Sequence, residues 1–451
     1  MFKRSSLPAA IALAGLSFGA QAADTKQHGF VEDSTASVTA RNFYINQDNR
    51  DGTANPSKQE EWGQGFIFNF ASGYTQGTVG FGVDAIGLLG IRLDSGKGTA
   101  YNAGSANKGG IVFPSDSDGR AVSDFSSLGL TAKVKVSKTE LRLGTLQPKL
   151  PVVQSNDGRL LPQTFQGGQV TSNEIDGLTL VGGKLEHAKG RNSTNNDSLT
   201  IAGSNGATST ATSNKRSNEF YYAGGDYKIT KDLTAQYYYG ELENFYKQHF
   251  LGLTHNLALP VGSLKSDLRY FNSGSDGKNA SQEGRLEGYR SSGFQTKNGE
   301  VDNRTWSAKF TYSLEGHAIS AGYQRVNGTS DFPFLNQGDG ASSYLITDVQ
   351  LGKFQRAGER TWLAQYAYDF AKVGLPGLTA GVIYLKGDNI NATNYDRSEW
   401  ERDISVGYVV PEGTLKGLGL AWRNAAFRSD ATNQRDQDEN RLIASYTYSF
   451  F

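Results

Sequence analysis

The sequence predicts an all-β fold, a transmembrane antiparallel up-and-down β-barrel, and three observations lead there. Apolar residues recur with period 2 from about residue 30 to the C-terminus. The runs are joined alternately by tight turns and by long polar loops. Nowhere is there an uninterrupted run of ~20 apolar residues that could cross a bilayer as a helix.

The N-terminus reads as an export signal. MFKRSSLPAAIALAGLSFGAQA carries Lys3 and Arg4, an apolar core from Leu7 to Leu16, and the small-residue site Ala20-Gln21-Ala22. Cleavage after Ala22 leaves residues 23–451 as one barrel domain. The 451-residue chain balances 45 basic against 45 acidic residues, which argues against a nucleic-acid partner. It contains no Cys, so disulfide frameworks, thiolate chemistry and Cys-based metal sites are excluded. A mean hydropathy of −0.49 looks soluble, but a barrel with one greasy and one polar face reaches the same average.

In chain order, residues 66–91 read as a hairpin around the turn GYTQG (73–77). Phe66, Phe68, Phe70, Val79, Phe81, Val83 and Ala85 fall on one face; Asn69, Gly80, Gly82 and Asp84 fall on the other. LTAQYYYG sets Leu233, Ala235, Tyr237 and Tyr239 against Thr234, Gln236 and Tyr238. RTWSAKFTYS sets Trp306, Ala308, Phe310 and Tyr312 against Thr305, Ser307, Lys309 and Thr311. RTWLAQYAYDFA and LKGLGLAWRNA repeat the design, with Trp362 and Trp422 on the apolar side. RLIASYTYSFF closes the chain with Leu442, Ala444, Tyr446, Tyr448 and Phe450 in phase and Phe451 one residue out. A soluble sandwich also has period 2, but its apolar face would be a packed core. Here that face is rich in Tyr, Phe and Trp, as lipid-facing girdles are.

Tight turns are expected at 73–77, 229–232, 314–317 and 374–377, and long outer loops at 96–119, 187–217, 273–303, 327–343, 387–399 and 429–440. One connection is different. TLQPKLPVVQSNDGRLLPQTFQGG (145–168) holds Pro148, Pro151 and Pro162, so it makes a poor strand. Its Leu150, Val152, Val153, Leu160, Leu161 and Phe165 make it a poor solvated loop; a loop folded onto the outer rim is the alternative, and the barrel interior is available for it to pack on. Asp157 and Arg159 then sit near the narrowest point.

Several stretches together resemble a known family. SVTARNFYINQD (37–48), EEWGQGFIFNFASGYTQGTVGFGVDAIGLLGIRLDSG (60–96), LRLGTLQPKLPVV with RLLPQTF, FYYAGGDYKITKDL (220–233), NRTWSAKFTYS (303–313) and DQDENRLIASYTYSF (436–450) resemble OprD-type outer-membrane porins, and the likeness spans the mature chain. The resemblance implies a barrel of about 18 strands in the bacterial outer membrane, forming monomeric pores that in some members gather loosely as trimers. It implies passive uptake of small carboxylate-bearing nutrients past an inward third loop and a ladder of basic residues. It implies no enzyme activity and no cofactor. The family motif near the first strand usually has a basic residue in the NRD position, where this chain has Gln47, so its ladder should differ from that of channels for basic amino acids.

For the ladder, parity places Lys133, Lys135, Arg142, Lys265, Arg269, Lys309, Arg423 and Arg441 opposite the lipid face. A lipid-facing Lys or Arg at the midplane costs ~2–4 kcal/mol, which favours the lumen. Arg41 belongs to the set, although ARNFYIN does not alternate cleanly. Asp84, Asp267, Glu401 and Asp403 fall on the same inner faces and are expected to neutralise some of the cations. Two other classes compete: a serine-type hydrolase and a structural or adhesive barrel. The G-x-S-x-G match at 15–19 lies in the signal segment, and His28, His187, His249, His255 and His317 show no metal-ligand spacing.

Overall fold

A computed structural model describes residues 29–50, 57–95, 110–116, 119–202, 215–291, 298–336, 341–391, 396–431 and 434–451; the expected signal peptide, 1–22, lies outside these. Eighteen antiparallel strands form the wall. In chain order they are β1 (Thr35–Asn49), β2 (Lys58–Ala71), β3 (Val79–Ser95), β4 (Asp124–Val136), β5 (Thr139–Leu146) and β6 (Thr164–Ser172). Then come β7 (Leu178–Lys189), β8 (Phe220–Lys228), β9 (Leu233–Leu242), β10 (Tyr246–Ala258), β11 (Ser263–Ser275) and β12 (Asp302–Leu314). The last six are β13 (His317–Gly328), β14 (Arg360–Asp369), β15 (Leu378–Ile390), β16 (Arg397–Val409), β17 (Gly419–Ser429) and β18 (Gln437–Ser449). Each pairs with its chain neighbour, and β18 returns to β1 with Tyr448 opposite Val38 and Arg441 opposite Ile45. Closure leaves no free edge, so the wall satisfies its own backbone hydrogen bonds in lipid.

The alternation follows the sequence. On β2, Trp62, Phe66 and Phe68 are exposed outward, while Glu61, Gly63 and Ile67 are buried inward. Trp306, Trp362 and Trp422 also point out. Phe450 continues the outward row of Leu442 and Tyr448; its N–H donates to the Ala36 carbonyl at 2.8 Å and the Phe451 carbonyl accepts from the Ala36 N–H at 3.3 Å, so both close the seam. Among the described residues no helix is long and apolar enough to cross a membrane.

The packed core lies inside the lumen, because loops fold into it. Val152, Val153 and Phe165 join Phe220, Phe250 and Phe271 of the wall and Phe332 and Leu345 of another loop. Leu160 and Leu161 join Phe43, Ile45 and Ile67 together with Ile111, Val112 and Phe113. A smaller group gathers Phe354, Leu363, Leu385 and Phe427. Two glycines make room: a Cβ on Gly63 would lie 2.6 Å from the Phe113 ring and 2.8 Å from Leu160, and one on Gly65 would lie 3.0 Å from Leu160.

Four stretches expected as solvated outer loops therefore need correction: Leu199 and Ile201 within 187–217 and Val301 within 273–303 join the first of these clusters, and two others go further. Within 96–119, Ile111–Phe113 are buried against the inner wall. Within 327–343 and on to residue 357, Phe332, Phe334, Leu335, Leu345 and Phe354 are buried as well. Apolar side chains on a connection seek cover, and the lumen supplies it.

Candidate functional site

Two loops meet across the lumen. The first, 147–163, leaves β5 and returns at β6, with Val152 and Val153 seated in one apolar cluster and Leu160 and Leu161 in another. Its apex, Asn156 to Arg159, hangs between those anchors. The second runs through residues 341–357. They touch where Asn156 Nδ2 donates to Ser342 Oγ at 2.7 Å, beside a β-bridge between Gln154 and Ser342.

Arginines of the wall hold both loops. Arg41, inward on β1, grips the Asp157 carboxylate with two hydrogen bonds of 2.7 and 3.1 Å and also donates to the Arg159 carbonyl at 2.7 Å. Arg441, inward on β18, donates to Glu439 at 2.6 Å, to the Gly158 carbonyl at 3.2 Å and to the Gln350 carbonyl at 3.3 Å, so it reaches both loops. Arg269, on β11, pairs two-pronged with Asp267 at 2.9 and 2.6 Å and donates to the Tyr344 carbonyl at 2.8 Å. Its guanidinium also lies 3.9 Å from the Tyr344 ring centre.

Carboxylates of the wall hold the loop backbone from the other sign. Glu401 accepts the N–H groups of Leu351 at 2.8 Å and Gly352 at 2.5 Å, and Asp403 accepts that of Gln350 at 3.2 Å. Glu439 accepts Gln350 Nε2 at 3.0 Å, and Glu61 accepts the Val112 N–H at 2.6 Å. Loop backbone buried in a barrel has no ladder partner, and a carboxyl oxygen of the wall supplies the missing acceptor. Glu61, Glu401 and Glu439 are 0% exposed, so the loops cover them. At the foot of the second loop, buried Glu359 accepts the Arg356 N–H at 2.9 Å. Burial, and then the nearby Glu399 charge, push its pKa well above the ordinary carboxylate range.

The remaining expected cations separate into paired and unpaired. Lys133 is paired with Asp84 at 2.6 Å and donates to the Ser72 carbonyl at 2.9 Å. Arg142 bonds Glu140 and lies 3.8 Å from Asp84. Arg159 donates to the Ile111 carbonyl. Among the described residues Lys135 has only the Tyr74 ring, at 5.4 Å, and Lys309 donates to the neutral Gln365 at 2.8 Å. Arg423 makes no hydrogen bond and no ion pair among the described residues. It stands opposite Arg441 on one side and Ser405 on the other, and Arg441, Arg41 and Asp403 are the charges that act on it. Of the four inner acids expected to neutralise cations, Asp84 and Asp267 do so; Glu401 and Asp403 bind the second loop's backbone instead.

This architecture is a lumen narrowed by two opposed loops, and the sequence match decides which kind. The model of outer membrane porins of the OprD family matches residues 28–450. The chain belongs to the OprD family of porins. The porin-like protein GalP of Pseudomonas putida is 39% identical, over 93% of each chain. Porin D of Pseudomonas aeruginosa is 34% identical, over 93% of this chain and 92% of that one. The crystal structure of Pseudomonas aeruginosa OccK8 (OprE) is 62% identical, with a TM-score of 0.85 over 94% of this chain and 100% of that chain. Such porins are outer-membrane channels rather than enzymes, and this porin sits in the outer membrane.

Of the ladder expected for this porin, parity places every member on the inner wall. The second inward loop escapes that reading, and so does the use of the inward Glu401 and Asp403 to hold it. The available signal was the apolarity of a connection: Leu345, Ile346, Val349, Leu351 and Phe354 lie between two clear strands.

Proposed function

We propose that this porin passes small solutes bearing a carboxylate, and that Arg423 is the cation they meet where the lumen narrows. The observation that carries the reading is the unpaired inward guanidinium of Arg423 beside Arg441, which spans both loops. An Arg is always charged and matches a carboxylate with two parallel hydrogen bonds. Arg41, Arg142, Arg269, Arg441 and Lys133 are already engaged, so they position the wall and the loops and add a background potential. Lys135 and Lys309 lack a carboxylate partner and extend the cationic path. Three of the acids that could repel an anion, Glu61, Glu401 and Glu439, lie buried under the loops, while Asp84, Asp157 and Asp267 are paired with Lys133, Arg41 and Arg269. A narrow low-dielectric passage with an excess of one sign of charge focuses the field and enriches counter-ions. A relative of 33% identity, OpdK of Pseudomonas aeruginosa, has a crystal structure with vanillate, which is an aromatic carboxylate.

A pore must release what it binds, so no single contact can dominate. Loss of one charge-assisted contact should cost ~1–2 kcal/mol of local binding. The test is Arg423→Ala in planar bilayers under a salt gradient, with carboxylate flux into liposomes alongside. The expected result is a reversal potential moved toward cations and a several-fold lower carboxylate flux. A variant with wild-type reversal potential and flux would remove Arg423 from the path.

A further inference from the structure

Charge on the outside of the barrel is unused by the pore. Arg325 on β13, Arg360 on β14 and Lys386 on β15 all point outward and are exposed. They occupy adjoining strands near the long-loop end, with Arg325 directly opposite Arg360 and Lys386 opposite Trp362. Arg325 and Lys386 make no hydrogen bond or ion pair among the described residues, and Arg360 donates only to the neutral Asn389, at 2.6 Å. The nearby acids do not cancel the patch: Asp302 is taken by Arg304 at 3.1 Å, and Asp388, opposite Arg360 in register, forms no ion pair with it. Like charges directly opposite on a sheet destabilise it, so the arrangement calls for an anion from outside the chain.

The height and the surroundings say which anion. Trp306, Tyr323 and Trp362 form an outward aromatic row beside the cations, with ring centres 5.3 and 4.5 Å apart. Such rows mark the level of lipid headgroups. Toward the short-turn end the same outer face turns apolar, with Ile319, Tyr366 and Val382 exposed to acyl chains.

We propose that Arg325, Arg360 and Lys386 form a docking site for a phosphorylated lipid of the outer leaflet. The headgroup phosphate bridges the three cations across β13–β15, and the acyl chains lie along the apolar strip below. Each basic residue near a membrane surface contributes about five-fold to the binding of an anionic lipid. Losing all three should weaken it about 100-fold.

The test uses the full-length barrel in mild detergent, titrated with a bisphosphorylated glycolipid of the lipid A type and followed by native mass spectrometry. The expected result is strong binding by the wild type and weakening of about 100-fold in Arg325→Ala/Arg360→Ala/Lys386→Ala. Arg325→Lys/Arg360→Lys should retain most of the affinity, and the dephosphorylated lipid should bind the wild type no better than the triple variant. A heat-modifiable gel shift equal to wild type shows that the variant folds; the Lys variant decides if it does not. Equal binding of phosphorylated and dephosphorylated lipid overturns the proposal. Competition by millimolar inorganic phosphate would make this a soluble-anion site, and loss of oligomers in the triple variant would make it an interface between copies; either overturns it too.

Discussion

Arg41 and Arg423 look alike in the sequence, and their partners assign them different work. Arg41 is 13% exposed and locked on Asp157 at the apex of the first inward loop; Arg423 has no such partner. Arg41→Ala should release Asp157 and weaken the loop's anchorage by about 2 kcal/mol. Single-channel traces should then become noisier, with a raised mean conductance, because the constriction itself moves. Arg423→Ala should leave the noise unchanged and alter selectivity alone. Quiet traces from Arg41→Ala would show that the apolar anchors Leu160 and Leu161 suffice to hold the loop.

The strands were legible because a one-residue slip would turn every greasy side chain into the wrong solvent. That rule placed Lys133, Arg269, Lys309, Arg423 and Arg441 inside from sequence alone. The first inward loop was legible too, since three prolines and six apolar residues fit neither a strand nor a solvated loop. The second was not. Its residues 341–357 have no proline signal, and the acids that hold it sit on β16 and β18, far away in sequence. Parity says that Glu401 faces inward, but only the fold shows that loop N–H groups fill the space before it. This loop also carries a pH dependence. Glu359 is harder to ionise in the folded barrel than in the unfolded chain, so the folded state holds its proton longer. Stability from that end of the loop is therefore present below the ordinary carboxylate pKa and is lost as pH rises through the folded value. Glu359→Gln, which keeps the shape and removes the titration, should flatten that loss. Unfolding in urea between pH 5 and pH 9 checks it; parallel wild-type and variant profiles would show that Glu359 does not titrate there.

At the scale of the whole molecule, the lipid-facing surface, the closed wall and the plugged lumen divide the sequence into three solvents. Outward residues meet hydrocarbon or headgroups, inward wall residues meet water or loop backbone, and loop apolar residues meet one another inside the barrel. A wide empty cylinder would conduct without preference. Here two loops joined at Asn156 and Ser342 narrow it, buried wall acids hold them, and Arg423 keeps a guanidinium on the inner wall with no ion pair among the described residues. On the proposed function, this cation and its neighbours select carboxylates. Single-channel recording with pairs of solutes of equal shape, a carboxylate and its neutral amide, tests it most directly. The carboxylate should interrupt the wild-type current at about ten-fold lower concentration than the amide, a difference of ~1.4 kcal/mol, and Arg423→Ala should narrow that gap several-fold. Equal block by acid and amide in the wild-type channel would contradict it.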